Sequence, residues 1–326
     1  MSYLLRRLLH GMFVLWAMSA LVFLALYAIG NPVDLLADPQ ADAADKARVL
    51  QSLGLDRPLW AQYGRFLLLA VQGDFGRSFV HGSPAIPLIL SRLPATLELA
   101  TTALVIALAV GLPLGLIAGL RPSSRLGRLF SALAFAGFTL PTFWVGLMLI
   151  LVFAVTLGWL PAGGREGAVA LSGIEWAFLS LEGWRYLILP ALTLALFKSA
   201  LVIRLTAQAT RDTLTQPFIR TARAKGLGEA AVVRRHVLPN ILIPLITVLG
   251  MEFGGLVAFA VVTESIFGWP GMGKLLIEAI NALDRPVVVA YLMITTTLFV
   301  GLSLLIDLTY TLIDPRVRLG GETVDA

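Results

Sequence analysis

Apolar residues run along this chain in long unbroken blocks, separated by shorter polar segments rich in arginine. A hydrocarbon core about 30 Å thick needs roughly 20 apolar residues of helix. Six blocks meet or approach that length: Leu9 to Gly30, Leu97 to Leu120, Phe130 to Leu157, Tyr186 to Val202, Ile241 to Val262 and Val288 to Ile313. Each predicts a transmembrane helix. Glycine and proline inside them (Gly111, Pro113 and Gly115; Gly137 and Pro141; Gly254 and Gly255) suit membrane helices, whose neighbours re-satisfy freed backbone groups and pack closely. The pattern predicts an all-α polytopic membrane protein, one domain over residues 1–326 with six spans.

Composition agrees. The 326 residues are 58% hydrophobic and 14% charged, with mean hydropathy +0.85, where a soluble domain carries about 25% charged residues. A net charge of +5 could point to nucleic acid, but the basic residues are scattered between apolar blocks, where they set topology and meet anionic lipid. No nucleic-acid partner is expected. With no cysteine, disulfides, thiolate metal sites and cysteine nucleophiles are excluded. His10, His81 and His236 lie far apart and on different predicted sides, so neither a metal site nor a catalytic triad assembles from them, and no cofactor is expected.

If the amino terminus is cytoplasmic, the inner segments hold about 14 basic residues in about 64, against about 10 in about 118 outside, as the positive-inside rule requires. Both termini then lie inside. Arg6 and Arg7 ahead of an apolar run resemble a signal peptide, but the run is long enough to span and Ala28-Ile29-Gly30 is a poor cleavage site. The segment 31–95 is external, and its run Leu59 to Val71 places Trp60, Tyr63, Phe66 and Leu67 at helical spacing, predicting a short helix at the outer interface.

The segment 203–240 is the basic cytoplasmic loop. Pro217 suits a first helical position and Gly226 the left-handed residue just past a helix end, which predicts a helix from Pro217 to Lys225. A second, Glu229 to His236, has its acid early and Arg234, Arg235 and His236 late, as the helix dipole favours, with His236 capping it and Pro239 ending it. Such a basic helix-turn-helix serves either lipid headgroups or a soluble docking partner.

These residues carry a resemblance. The small-residue turn ending at Gly226, followed at fixed spacing by Leu238-Pro239, resembles the cytoplasmic EAA loop of binding-protein-dependent ABC importer permeases, with Arg220-Thr221-Ala222-Arg223-Ala224-Lys225-Gly226 as the peptide/nickel variant. Leu53 to Pro58, Gly73 to Ser78, Arg92 to Thr96, Glu264 to Gly273 and Asp314 to Arg318 extend the likeness over nearly the whole chain; Gly30-Asn31-Pro32 departs slightly from a common Gly-Asp-Pro. The chain is similar to the first of the two permeases in dipeptide, oligopeptide or nickel importers. That resemblance implies the type I permease fold in a cell (inner) membrane and no chemistry of its own. It implies as partners a second homologous permease in a heterodimer, two ATP-binding cassette ATPases, an extracytoplasmic solute-binding protein and membrane lipid. It implies ATPase coupling through Arg220, Thr221, Ala222, Arg223, Lys225, Gly226, Glu229, Leu238 and Pro239.

Gly268 to Lys274 has P-loop spacing, but Leu275 stands where a hydroxyl must hold magnesium and Pro270 interrupts the loop, so nucleotide binding is not expected. Trp269 is expected at the membrane interface. Lys198, about 9 Å along its helix from Arg204, is expected to snorkel to the cytoplasmic side. Glu252 falls near the middle of the fifth block, where it either lines the substrate path and favours cationic groups or is held, protonated, between helices. Two rival functions stay open: an ion-coupled carrier using Glu252 and Asp307, and a structural membrane subunit.

Overall fold

The computed structural model describes residues 3–28 and 57–313. Its elements in order are α1 (Tyr3–Ala28), α2 (Leu59–Val71), α3 (Ala85–Leu120), α4 (Arg125–Thr139), α5 (Thr142–Leu149), β1 (Val169–Leu171), β2 (Ile174–Trp176), α6 (Leu181–Leu214), α7 (Pro217–Ala224), α8 (Glu229–Val232), α9 (Leu238–Phe259), α10 (Val261–Ile266), α11 (Met272–Asn281) and α12 (Arg285–Ile313). Among the described residues four helices are long and apolar enough to cross a membrane: α1, α3, α6 and α12. The 22-residue α9 coincides with the expected fifth block.

The expected third span is not one helix. The axes of Arg125–Gly137 and Thr142–Thr156 meet at 103°. The break falls at Leu140 and Pro141, both extended (ψ 128° and 131°), because a residue before proline is driven out of helical conformation. Beyond α5 the chain continues as a π-helical stretch, Ile150–Thr156. Also unexpected is the antiparallel pair β1–β2, turned by Ser172 and Gly173 at φ 53° and 81°, the signature of a tight two-residue hairpin.

Contacts divide the chain into two compact units, Met1–Ser91 with Glu278–Val300, and Arg92–Ile277 with Gly301–Ala326. In the first, α2 forms as expected and packs on α1: the Tyr63 and Ser19 hydroxyls are 2.8 Å apart, and Phe23 meets Tyr63 and Phe66 at 5.2 and 5.9 Å between ring centroids. The Gly73–Ser78 motif is a turn pinned to the buried Asp284, which accepts hydrogen bonds from Ser78 Oγ, Phe79 N (3.1 Å) and Val80 N (3.4 Å). The calls on residues 31 to 56 and 314 to 326 lie outside the described residues.

In the second unit a glycine stripe joins α3 to α6. Gly111, Gly115 and Gly119 recur one turn apart and face Val202, Thr206 and Thr210; a Cβ on any of the three would lie 2.6 Å from the facing Cβ. Only glycine lets these backbones approach so closely, the small-residue packing common between membrane helices. This contact fixes the C-terminal half of α6, which leads into the segment that follows.

Candidate functional site

That segment folds as its local sequence dictates. Pro217 starts α7, where its missing N–H costs nothing. Gly226 ends it at φ +81°. The Gly226 amide donates to Arg223 O (2.9 Å) and the Leu227 amide to Ala222 O (3.3 Å), the paired bonds of a Schellman cap. Arg223 then reaches across the turn, its Nε and Nη2 donating to the two Glu229 carboxylate oxygens at 2.8 and 3.0 Å.

The second helix differs from expectation. It is α-helical only over Glu229–Val232 and becomes π-helical over Val233–Val237. Pro239 does not end it: the chain runs directly into α9, with Pro239 in the first turn. Proline cannot donate to the helical ladder, and a widened turn is the usual accommodation. His236 accepts, through its carbonyl, a hydrogen bond from Asn240 Nδ2 (2.6 Å), and its ring lies 6.4 Å from Phe218.

One face of this two-helix knob is core. Ile219, Ala222, Val232 and Val237 are buried in a cluster with Val202, Ile241, Leu245 and Leu249, and Leu227 and Leu238 pack against it. The other face exposes Arg220, Thr221, Arg223, Lys225, Gly226, Glu229, Arg234, Arg235 and Pro239. Ala222 is therefore held by its own chain. Gly226 faces open space, so its constraint is conformational. The knob lies between α6 and α9 in the chain and runs directly into α9.

A second polar cluster holds the segment after α9. Trp269, expected at the membrane interface, is fully buried; its indole N–H donates to Ala95 O (2.9 Å) and the Arg165 guanidinium sits 5.4 Å over its ring. A buried indole needs an acceptor for its N–H, and Ala95 O supplies it. Arg165 Nε and Nη2 donate to Glu98 Oε2 at 3.1 and 2.8 Å, and Glu98 Oε1 accepts from Phe178 N (2.8 Å). Glu264, wholly buried, accepts from Thr96 Oγ1 (2.6 Å) and Lys274 N (2.9 Å). Burial pushes its carboxyl above the usual range, and the hydrogen bonds offset only part of that rise. A Cβ on Gly271 would lie 2.2 Å from Glu264 Oε1. The loop with P-loop spacing thus wraps a carboxylate of its own chain where a nucleotide would need a phosphate.

Lys198, expected to reach toward the cytoplasmic side, has a partner within the chain. Its amine forms an ion pair with Glu252, joining α6 to α9. Glu98, Arg165 and Glu264 were not singled out from sequence as site residues; Glu98, a carboxylate just inside an apolar block, was the available signal.

Comparison with known proteins agrees with this architecture. Residues 111–319 match the family described as the binding-protein-dependent transport system inner membrane component, and residues 1–100 match its N-terminal membrane component. The chain is 38% identical over 319 residues to the glutathione transport system permease protein GsiC of Escherichia coli K12, covering 98% of this chain and 99% of that one. It is also 38% identical to the oligopeptide transport system permease protein AppB of Bacillus subtilis, covering 97% and 99%. Among solved structures, an inward-facing MetNI methionine ABC transporter shares the fold at TM-score 0.56 and 18% identity, over 70% of this chain and 96% of that one.

Proposed function

The chain belongs to the family of binding-protein-dependent transport system inner membrane components and is a permease subunit of an ABC importer; from that premise we propose that it imports peptides or closely related small solutes. The relatives named for glutathione and oligopeptides support this solute class. In this reading it pairs with a second, homologous permease. Two separate ATPase chains bind its inner face, and an extracytoplasmic binding protein delivers solute. Both termini are cytoplasmic, which the distribution of arginine supports.

The observation that carries the reading is the α7–α8 knob, apolar beneath and basic above. Arg220, Thr221, Arg223, Lys225 and Glu229 form its contact surface for an ATPase. Ala222, Gly226, Leu238 and Pro239 hold its shape and join it to α9. ATP-driven closure of the ATPases moves the knob as a rigid piece, and α6 and α9 carry that motion into the membrane, which is coupling through an element with two arrangements.

The test is uptake of a radiolabelled dipeptide by proteoliposomes holding both permeases, the ATPases and the binding protein. Uptake should require ATP and survive a proton uncoupler. Uptake that is independent of the ATPases and abolished by the uncoupler would instead assign an ion-coupled carrier.

A further inference from the structure

The Lys198–Glu252 pair lies within apolar sequence, Lys198 toward the end of the block Tyr186 to Val202 and Glu252 near the middle of Ile241 to Val262. Stability does not explain it. Desolvating two charges costs several kcal/mol, and well-packed apolar residues at the same positions are usually as stable or more so. Charges within membrane helices face the bundle interior or a water-filled cavity, pair with one another, and mark solute and ion pathways. Within this single chain the pair is not sealed: the Glu252 side chain keeps 32% of its accessibility and Lys198 13%. A carboxylate one-third accessible within an apolar block is best served by water or a polar surface beside it.

The pair also has a chemistry that neither residue has alone. A lone Glu252 would select cations; paired with Lys198, the site is neutral overall and presents one charge of each sign. A peptide with free ends presents the complementary set, an ammonium and a carboxylate. If the ammonium replaces Lys198 at Glu252 while the carboxylate replaces Glu252 at Lys198, two ion pairs form from one internal pair and one hydrated zwitterion. No charge is left bare in the apolar region during the exchange. We infer that Lys198 and Glu252 form an exchangeable ion pair on the translocation path that recognises the two charged ends of a zwitterionic solute. This rests on the peptide-import reading above.

Three probes separate this role from a staple: a free dipeptide, its N-acetyl derivative and its C-terminal amide, each presented on saturating loaded binding protein to the complete reconstituted transporter. A charge-assisted hydrogen bond is worth about tenfold or more. Glu252→Gln should therefore lower the free-to-acetylated uptake ratio about tenfold, and Lys198→Met should lower the free-to-amidated ratio similarly. A staple would lower all three probes in proportion, and unchanged ratios in both variants overturn the inference. Because the chain has no cysteine, Glu252→Cys gives a readout that does not depend on turnover. A small cationic thiol reagent should label it, and loaded binding protein should slow the labelling; no labelling, or labelling that solute leaves unchanged, also overturns the inference. Absence of ATP-dependent uptake of every probe by the wild type would remove the peptide-import premise and this inference with it, whereas ATP-dependent uptake with unchanged ratios removes only the pair's role.

Discussion

Gly226→Val isolates the conformation of the α7–α8 turn, proposed above to dock an ATPase, from its packing. Nothing lies within 4 Å of a Cβ built at this position, so a side chain meets no neighbour. The whole penalty is the backbone at φ +81°, which costs an L-residue about 1–2 kcal/mol and a β-branched one more. If the turn opens to escape that strain, it loses the Gly226 to Arg223 and Leu227 to Ala222 hydrogen bonds, at about 1 kcal/mol each. Either route costs about 2–3 kcal/mol locally. That is too little to unfold the apolar cluster beneath α7, so the protein should insert and purify normally while the turn changes shape. Gly228, two residues on, is a matched control: it is equally open but has φ −68° at the N-cap of α8, a place where serine is favoured. In the reconstituted transporter, Gly226→Val should lower dipeptide uptake per ATP hydrolysed, or release the ATPases, and Gly228→Ser should do neither. Normal coupling in Gly226→Val, or equal damage in the two variants, would refute the role of the turn.

Other expectations follow from the same contacts. Gly115→Ala places a Cβ 2.6 Å from Thr206 Cβ and should destabilise the α3–α6 contact by about 1–3 kcal/mol, measured as a lower midpoint in thermal fluorescence size-exclusion; an unchanged midpoint would contradict the close packing. Thr206 Oγ1 is buried with no hydrogen-bond partner among the described residues, so Thr206→Val should leave that midpoint unchanged or raise it. Exchanging the turn's charges, Arg223→Glu with Glu229→Arg, keeps an ion pair worth at most about 1 kcal/mol at this exposure. Folding should be normal, and any loss of ATPase binding reports recognition of the charges themselves. For topology, Arg220→Cys should react with an impermeant thiol reagent only from the cytoplasmic side, and Val169→Cys, on the exposed β1, only from outside. Gly271 cannot serve as the outer reporter, because a side chain there would strike Glu264.

What could be read from sequence was local. Pro217 and Gly226 bracket α7 because each encodes its own backbone conformation, and the cap bonds join residues at most five apart. The apolar blocks announced the long helices because membrane solvation acts residue by residue. The misreadings were of two kinds. Pro141 and Pro239 were both visible, but whether proline breaks a helix, as at Leu140, or is absorbed into a widened first turn, as before α9, depends on the packing around it. The contacts of the buried polar clusters were not legible, since Arg165 and Glu98 are 67 residues apart and Thr96 and Glu264 168 apart. Lys198 and Glu252 were each noticed, but their pairing across 54 residues exists only in the folded chain. The burial of Trp269 against Ala95 O, 174 residues away, was likewise not legible from its residue type.

The central claim, that the α7–α8 knob couples this permease to its ATPases, is tested most directly by photo-crosslinking in the purified complex. A benzophenone maleimide on Arg220→Cys, the single cysteine of the chain, should capture an ATPase subunit, and ATP should change the yield. A cysteine at Val169 should capture none. If the probe at position 220 captured only lipid, with ATP hydrolysis and uptake still coupled, the knob would not be the coupling element.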